Sequence, residues 1–482
     1  LLLNQFHDII PGTSITRVHI ESLEQYKQTE NELRQLIQQA VHKTAGRVAY
    51  NGETEGKVIF NSLNWQREEL IELSDSVVWQ QVADGAGNPL PVQQIISEGK
   101  AAILVKASAP PLSYSCIQRS GQGPGNFARV EASFNYLENE LIKVEFNEDD
   151  GTICRIYDKQ ADREVLLPNA RANELKLYED RPNLWDAWDV DIFYEETPAE
   201  NPPLLSKDIV EEGPLRASIR FEYEDTWYAI TQTISLNSFS KRIDFKTRVN
   251  WQENERMLRV EFPVNIRTSQ ATFEVQYGHV KRPTHYNTSW DMAQFEVAGH
   301  KWADISQPNY GVALLNNCKY GHKVKGNTIS LNLLRSPKNP DPLADMHVHN
   351  FTYSLLPHMG DHLQGRVIQE AYQLNVPMRT TPVNRQSGDL PASFSLLQSS
   401  AENIVTEAVK KSEDGEGMVI RLYEAYGTDC QARLAFGFEL EEVWLVNLVE
   451  RPLRKLQITG HTVDLYFGPF AIHTLKVKQK AP

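Results

Sequence analysis

Apolar residues recur at Ile15, Val18, Leu23, Tyr26, Leu33, Leu36, Ile37, Ala40 and Val41, mostly in steps of three and four. That spacing predicts one amphipathic helix running from just after Pro11-Gly12 to Gly46. The Thr13 or Ser14 hydroxyl is expected to cap its start, and Gly46 to end it in a left-handed conformation. A helix with a single apolar stripe has to pack against partners, yet nothing later in the chain reads as a helical bundle, so the partners are expected upstream. From about residue 55 the period drops to two. Residues 57–73 read as two short strands around an Asn/Ser turn. Ile142, Val144 and Phe146 alternate with Lys143 and Glu145, and Ile219, Phe221 and Tyr223 with Arg220, Glu222 and Glu224. Ile243, Phe245, Val249 and Trp251 share one face of another strand. With turns at 147–153 and 237–242, these runs predict a mainly β fold of antiparallel sandwiches rather than alternating β-α units.

The Gly-rich stretch 120–127 and the polar stretch 385–393 read as linkers. They divide the chain into a helical segment at 1–50, a small β domain at 51–128, a large one at 129–388 and a C-terminal one at 389–482, whose last residues run from a strand into a frayed polar end. A chain of 482 residues has room for about three such cores. No apolar run approaches the roughly 18 residues of a membrane span, which excludes a helical membrane protein. Acidic residues outnumber basic ones by 63 to 49, and no Lys/Arg block carries interleaved aromatics, so nucleic acid is not an expected partner. Cys116, Cys154, Cys318 and Cys430 are widely spaced with no CxxC pair, which suits a reducing compartment such as the cytoplasm. The sequons at Asn287 and Asn350 are of a kind that arises by chance in a chain this long. There is no initiator Met and no charged segment preceding an apolar one, so the chain is expected to be a fragment of a longer protein.

Three constellations could carry chemistry. His7 and Asp8 pair an imidazole with a carboxylate just before the helix, both good donors for zinc or a similar divalent ion; from spacing alone, a hydrogen-bonded surface or capping pair is the better reading. Trp185, Asp186, Trp188, Asp189 and Asp191 fall within seven positions, and indoles beside carboxylates suit a pyranose, whose apolar face stacks while its hydroxyls donate to oxygen. A core strand with the tryptophans inward competes with that reading, although two residues three apart point to opposite faces of a strand. His347 and His349 share a face of a predicted strand and His358 and His362 follow, with no third metal donor at a recognised spacing. Between these regions a strand ends at Arg335 and enters a Pro-rich loop, a place for a rigidly held guanidinium or simply a loop arginine. No nucleophile elbow, phosphate loop or dinucleotide fingerprint is present.

The first residues, LLLNQFHDIIPGTSI, resemble the NQFHD…PG(S/T) segment of glycoside hydrolase family 38, the retaining α-mannosidases. WDAWDV, YGHVKRPTHYNTSWDMAQFEVAGHKWADIS, LLRSPKNPDP, FTYSLLPH, VIRLYEAYG and YFGPFAIHTLKV resemble its cytosolic branch. The resemblance implies that His7 is one ligand of a catalytic-site zinc (or cobalt) ion and that Asp8 contacts sugar hydroxyls beside it. It implies further that Trp185, Asp186, Trp188 and Arg335 help complete the mannose pocket. The nucleophile, the acid/base carboxylate and the other metal ligands are then expected in an N-terminal α/β domain outside this chain, so no catalytic residue is assigned here. The helix would close a three-helix bundle, and the large β domain would be a galactose-mutarotase-like super-sandwich. The implied activity is hydrolysis of terminal α-linked mannose from oligosaccharides by the complete cytoplasmic protein, itself a possible homo-oligomer. A non-catalytic carbohydrate-binding module and a β scaffold for oligomerisation are the alternatives.

Overall fold

The computed structural model describes residues 1–74, 79–97, 99–123 and 125–480, so Pro124 of the expected linker and the last two residues of the frayed end lie outside the described residues. The helix forms over Thr16–Ala45, but both of its expected ends are corrected. Thr13 and Ser14 do not cap it. Gly12, at φ +78°, turns the chain back, and the Ser14 hydroxyl donates to the Asp8 carbonyl at 2.6 Å while Thr13 Oγ1 lies 3.4 Å from both that carbonyl and the Asp8 carboxylate. Gly46 is not left-handed. The Arg47 and Val48 amides instead donate to the Thr44 and Ala45 carbonyls, a tightened last turn that meets the free carbonyls without a positive φ. The apolar stripe is exposed at Ile15, Leu23, Leu33 and Leu36.

The chain forms two compact units. One comprises Gln38–Phe127, Val275–His279 and Val376–Pro482 and contains four antiparallel sheets among the described residues. The two strands expected at 57–73 are present as Gly56–Asn61 and Arg67–Leu73, but they belong to different sheets. The Asn61 side chain explains the corner: its amide donates to the Trp65 and Pro110 carbonyls at 2.9 and 2.5 Å, and its oxygen accepts from the Leu63 amide. That local bonding replaces a hairpin turn.

The other unit comprises Leu1–Ile37, Ala128–Glu274 and Val280–Asn375. Here two five-stranded sheets and one of nine strands, all antiparallel, line a single core to which each contributes, Ile142, Leu258 and Phe245 among them. This is the large sandwich that the alternation predicts: Ile142, Val144 and Phe146, then Ile219, Phe221 and Tyr223, then Ile243, Phe245, Val249 and Trp251 are all buried. Inside it Asn173, Gln232 and Tyr353 close a ring of bonds, with Thr247 joined to it through Gln232. Asn173 donates to Gln232 at 2.7 Å, Gln232 to Thr247 at 3.0 Å and to Tyr353 at 2.8 Å, and the Tyr353 hydroxyl to Asn173 at 2.7 Å. A polar ring satisfied in this way fixes the register of the strands it joins.

One of the five-stranded sheets carries Glu174–Glu179, Arg256–Pro263 and Thr328–Arg335 as neighbours. Its next strand, Gly321–Lys325, holds the fully buried His322 against Phe273. Burial pushes the His322 imidazolium down to about 3, far below the value of about 6.5 that an unfolded histidine keeps. Below pH 6.5 the unfolded chain therefore binds a proton that the folded one refuses, and stability is lost progressively as pH falls from 6.5 toward 3. In His322→Phe the drop in melting temperature between pH 7.5 and 5 is expected to shrink, read by calorimetry at both pH values; an unchanged drop contradicts this account.

Candidate functional site

At one end of that sheet three neighbouring strands stop together: Glu179 pairs with Arg256, and Met257 with Arg335. Asp180, Glu255 and Arg335 therefore meet at the rim. The Arg335 guanidinium grips Asp180 with Nε and Nη2, at 2.6 and 3.0 Å, and Nη2 also donates to the Asp186 and Asp189 carbonyls at 2.9 and 2.8 Å. Asp180 is 2% exposed. A bidentate fork on a buried carboxylate is among the firmer contacts a protein makes. Here it bends residues 181–191 into a loop over the strand ends.

This loop carries WDAWDV, and it is not a strand. Trp185 stands at φ +59°, and its carbonyl accepts from the Trp188 and Asp189 amides at 2.8 Å each. The turn puts both indoles in solvent, Trp185 71% and Trp188 58% exposed. Asp191 closes the loop by accepting from the Asn183 amide at 2.9 Å. Beyond it, Tyr194 anchors the chain: its hydroxyl donates to Glu296 at 2.8 Å, and Glu296 pairs with the fully buried Arg259 at 2.7 Å. Asp186 points inward, and its Oδ2 accepts from the amides of Lys338 and Asn339 at 2.5 and 3.1 Å. The loop after Arg335 is thus bonded to the tryptophan loop. Asp341 in turn accepts from Thr16 Oγ1 at 2.5 Å, which ties the same loop to the first turn of the helix.

Two adjoining clefts result. One, of about 560 Å³, is lined by Trp185, Asp186, Trp188, Asp180, Glu255 and Pro340 among others. The second, of about 630 Å³, is lined by Asp8, Phe6, Asn4 and the start of the helix. Thr13 and Pro340 border both, so the Asp8 segment and the tryptophan loop, 177 residues apart in sequence by Asp8 and Trp185, face neighbouring spaces. His7 is exposed beside Asp8, with Nε2 3.6 Å from Asp8 Oδ2. An imidazole and a carboxylate at that spacing fit a zinc-class ion, but they supply two donors where a catalytic zinc takes three from protein. Arg335 does not line the first cleft; it holds the loop that does. Sequence reasoning missed Asp180, Thr13, Glu255 and Asp341, because what they do depends on strand ends meeting in space. Signals existed for three of them: Thr13 and Asp341 lie in the stretches LLLNQFHDIIPGTSI and LLRSPKNPDP, and Asp180 directly precedes the Arg-Pro break of the tryptophan segment.

The fork predicts its own failure. In Arg335→Met a buried carboxylate loses its partner, which costs about 3 kcal/mol. The unfolding midpoint in urea should fall accordingly, and the steady-state emission of the exposed loop tryptophans should change at denaturant concentrations too low to unfold the sheet. A full-strength midpoint contradicts the assignment.

Three family models match in chain order: the α-mannosidase middle domain over residues 1–43, the glycosyl hydrolases family 38 C-terminal domain over 137–343, and the family 38 C-terminal β-sandwich domain over 403–475. The chain is 35% identical to "Alpha-mannosidase 2C1" of Homo sapiens, over 100% of this chain and 45% of that protein. It is 34% identical to "Alpha-mannosidase G" of Dictyostelium discoideum, over 89% of this chain and 42% of that one. It therefore spans less than half the length of these curated relatives. In fold it is similar to the crystal structure of an α-mannosidase from Enterococcus faecalis V583, with a TM-score of 0.81, 18% identity, and coverage of 98% of this chain and 62% of that one. The chain belongs to glycosyl hydrolase family 38, and it carries that family's C-terminal domains.

Proposed function

We propose that this chain is the C-terminal part of a retaining, cytoplasmic α-mannosidase and that its clefts form one side of the pocket for a terminal α-linked mannose of an oligosaccharide. The observation that carries the reading is the juxtaposition at the strand ends. Two exposed indoles and Asp186 line one cleft, and the Asp8 segment, with His7 beside it, borders the next. Indole faces are suited to the apolar face of a pyranose. The Asp8 carboxylate, with Oδ2 3.6 Å from the His7 imidazole, is available to accept from sugar hydroxyls. Asp186 holds two backbone amides with Oδ2, leaving Oδ1 as an acceptor. Arg335 acts through the loop as a positioning residue.

His7, with Asp8 next to it, is where this chain would contribute to a zinc ion. When bound, such an ion orients the sugar hydroxyls and stabilises charge as the glycosidic bond breaks. Two carboxylates are required for retention, one as nucleophile and one as acid/base, and in this reading both come from the part of the protein beyond these 482 residues. The exposed stripe of Ile15, Leu23, Leu33 and Leu36 supports that division, as an apolar helix face of this size calls for a cover. In this reading the cover is the catalytic domain. The second reading, a carbohydrate-binding module active on its own, is favoured by the same solvent-exposed Trp185 and Trp188.

Hydrolysis of an aryl α-mannoside, measured on this chain and on a protein extended to the length of its relatives, tests the proposal. Zinc-dependent turnover is expected only in the longer protein. There His7→Ala should remove bound zinc together with activity, while Trp185→Ala should raise KM about tenfold or more, the loss of one stacking contact of about 1.5 kcal/mol. Turnover by this chain alone, or full zinc content in His7→Ala, overturns it; tight mannoside binding by this chain alone favours the second reading.

A further inference from the structure

The loop that follows Arg335 and bonds Asp186 ends at Asp345, His347 and His349, just where the strand Val348–Met359 begins. One ligand atom from each of these residues lies within 4.8 Å of the others, and among the described residues no other group of three or more His, Cys, Asp or Glu side chains converges in this way. Asp345 supplies the third donor that sequence spacing does not reveal; its backbone, at φ +59°, turns the carboxylate toward the two imidazoles. The rings of His347 and His349 stack with centroids 3.9 Å apart at 29°. Each ring has one nitrogen next to a backbone carbonyl: His349 Nε2 is 2.7 Å from the Asp345 carbonyl, and His347 Nδ1 is 3.3 Å from that of Val348. A ring N–H donating to a carbonyl fixes the tautomer and leaves the other nitrogen with its lone pair free, which is how metal-ligating histidines are oriented.

We propose that Asp345, His347 and His349 form a binding site for a divalent ion of the zinc class, separate from the His7 segment, whose occupancy pins the loop that walls the mannose-side cleft. Two imidazoles and one carboxylate are the donor set of many zinc sites, with the fourth position left to water. Ligand atoms of a tetrahedral zinc at about 2.1 Å stand about 3.4 Å apart. Closing from 4.8 Å is within reach of side-chain rotation, because Asp345 and His347 are exposed and His349 is half-buried. The basic groups within electrostatic reach of the Asp345 carboxylate are Lys319, His347, His19 and Arg335. Lys319 and Arg335 compete with a bound cation for this carboxylate, so the site should select a transition ion that bonds imidazole over Ca²⁺ or Mg²⁺, which rely on carboxylate charge. An ion here would join the end of the loop to a strand of the nine-stranded sheet. That loop carries the Lys338 and Asn339 amides on Asp186 and the Asp341 contact to Thr16, so its stiffness reaches both clefts.

The test is calorimetric titration of the chelator-stripped 482-residue chain with Zn²⁺, repeated with Co²⁺ while its visible absorption is followed, alongside hydrogen exchange of residues 336–347. One saturable equivalent, tetrahedral Co²⁺ bands and slowed exchange in that loop are expected. His347→Gln and Asp345→Asn should each weaken binding by at least about tenfold. His7→Gln should leave it unchanged, which separates this site from the metal of the proposed mannosidase reaction. Both tested positions are exposed, so their variants keep the fold. Absence of saturable binding, binding indifferent to His347→Gln and Asp345→Asn, or loss of binding in His7→Gln overturns the proposal.

Discussion

The site depends on one contact, the fork of Arg335 on Asp180. Asp180 sits one step past the end of its strand and Arg335 at the end of its own, the two strands flanking a third, and the sheet itself is held by a core in which Leu258, Val260 and Ile329 are wholly buried. An unpaired carboxylate as buried as Asp180 would be several kcal/mol too costly to keep, so the guanidinium has to be there. Once there, it still has donors to place. They go to the Asp186 and Asp189 carbonyls, and the tryptophan loop takes its course from that. The electrostatic demand of one buried group is thereby converted into the shape of a surface.

The rest of the region is arranged in series behind this contact. Tyr194, Glu296 and Arg259 hold the far end of the tryptophan loop, and Asp186 holds the next loop by two amides. That loop reaches Thr16 through Asp341. The links are charged or polar side chains that meet backbone, a hydroxyl or an opposite charge, most of them partly shielded from bulk water, where such bonds strengthen. The strand register of the scaffold beneath does not depend on these links; the polar ring of Asn173, Gln232 and Tyr353 and the apolar core around it already fix it. Separating the two roles lets the loops be shaped by ligand rather than by folding.

This division also explains what the sequence discloses. Alternation exposes the sandwich because a half-buried strand writes its burial into every second residue, as at Ile219, Phe221 and Tyr223. The helix is legible for the same reason, but its ends are not. Whether Thr13 caps a helix or bonds Asp8 depends on Gly12 turning the chain, a choice that side-chain type does not settle. His7, Asp8 and the tryptophan pair stand out as residue types, and a family resemblance gives them roles. Asp180 and Asp345 do not stand out among 63 acidic residues. Their meaning lies in a partner 155 or in a ring two and four residues away that only a folded turn brings round. The stretch 57–73 makes the same point at the level of the fold: both strands are written locally, while their assignment to different sheets rests on the bonds that Asn61 makes to Trp65 and Pro110.

Trp185 shows what such a surface costs. A non-glycine residue at φ +59° gives up roughly 1–2 kcal/mol relative to an ordinary backbone. Two indoles in water forgo in addition the burial that would stabilise the fold, about 1.5 kcal/mol or more each. A loop left to itself would fold its tryptophans inward. It is prevented from doing so because its carbonyls are held by Arg335 and its Asp186 carboxylate by Lys338 and Asn339, so collapse would break charge-assisted bonds worth more than the indole burial. The loop therefore stores its strain in an open shape, and a flat apolar ligand face that covers the indoles recovers what folding left out. Preorganisation of this kind lowers the ordering cost at the moment of binding, and it accounts for why the most strained and most exposed aromatic in the cleft is also the most tightly framed.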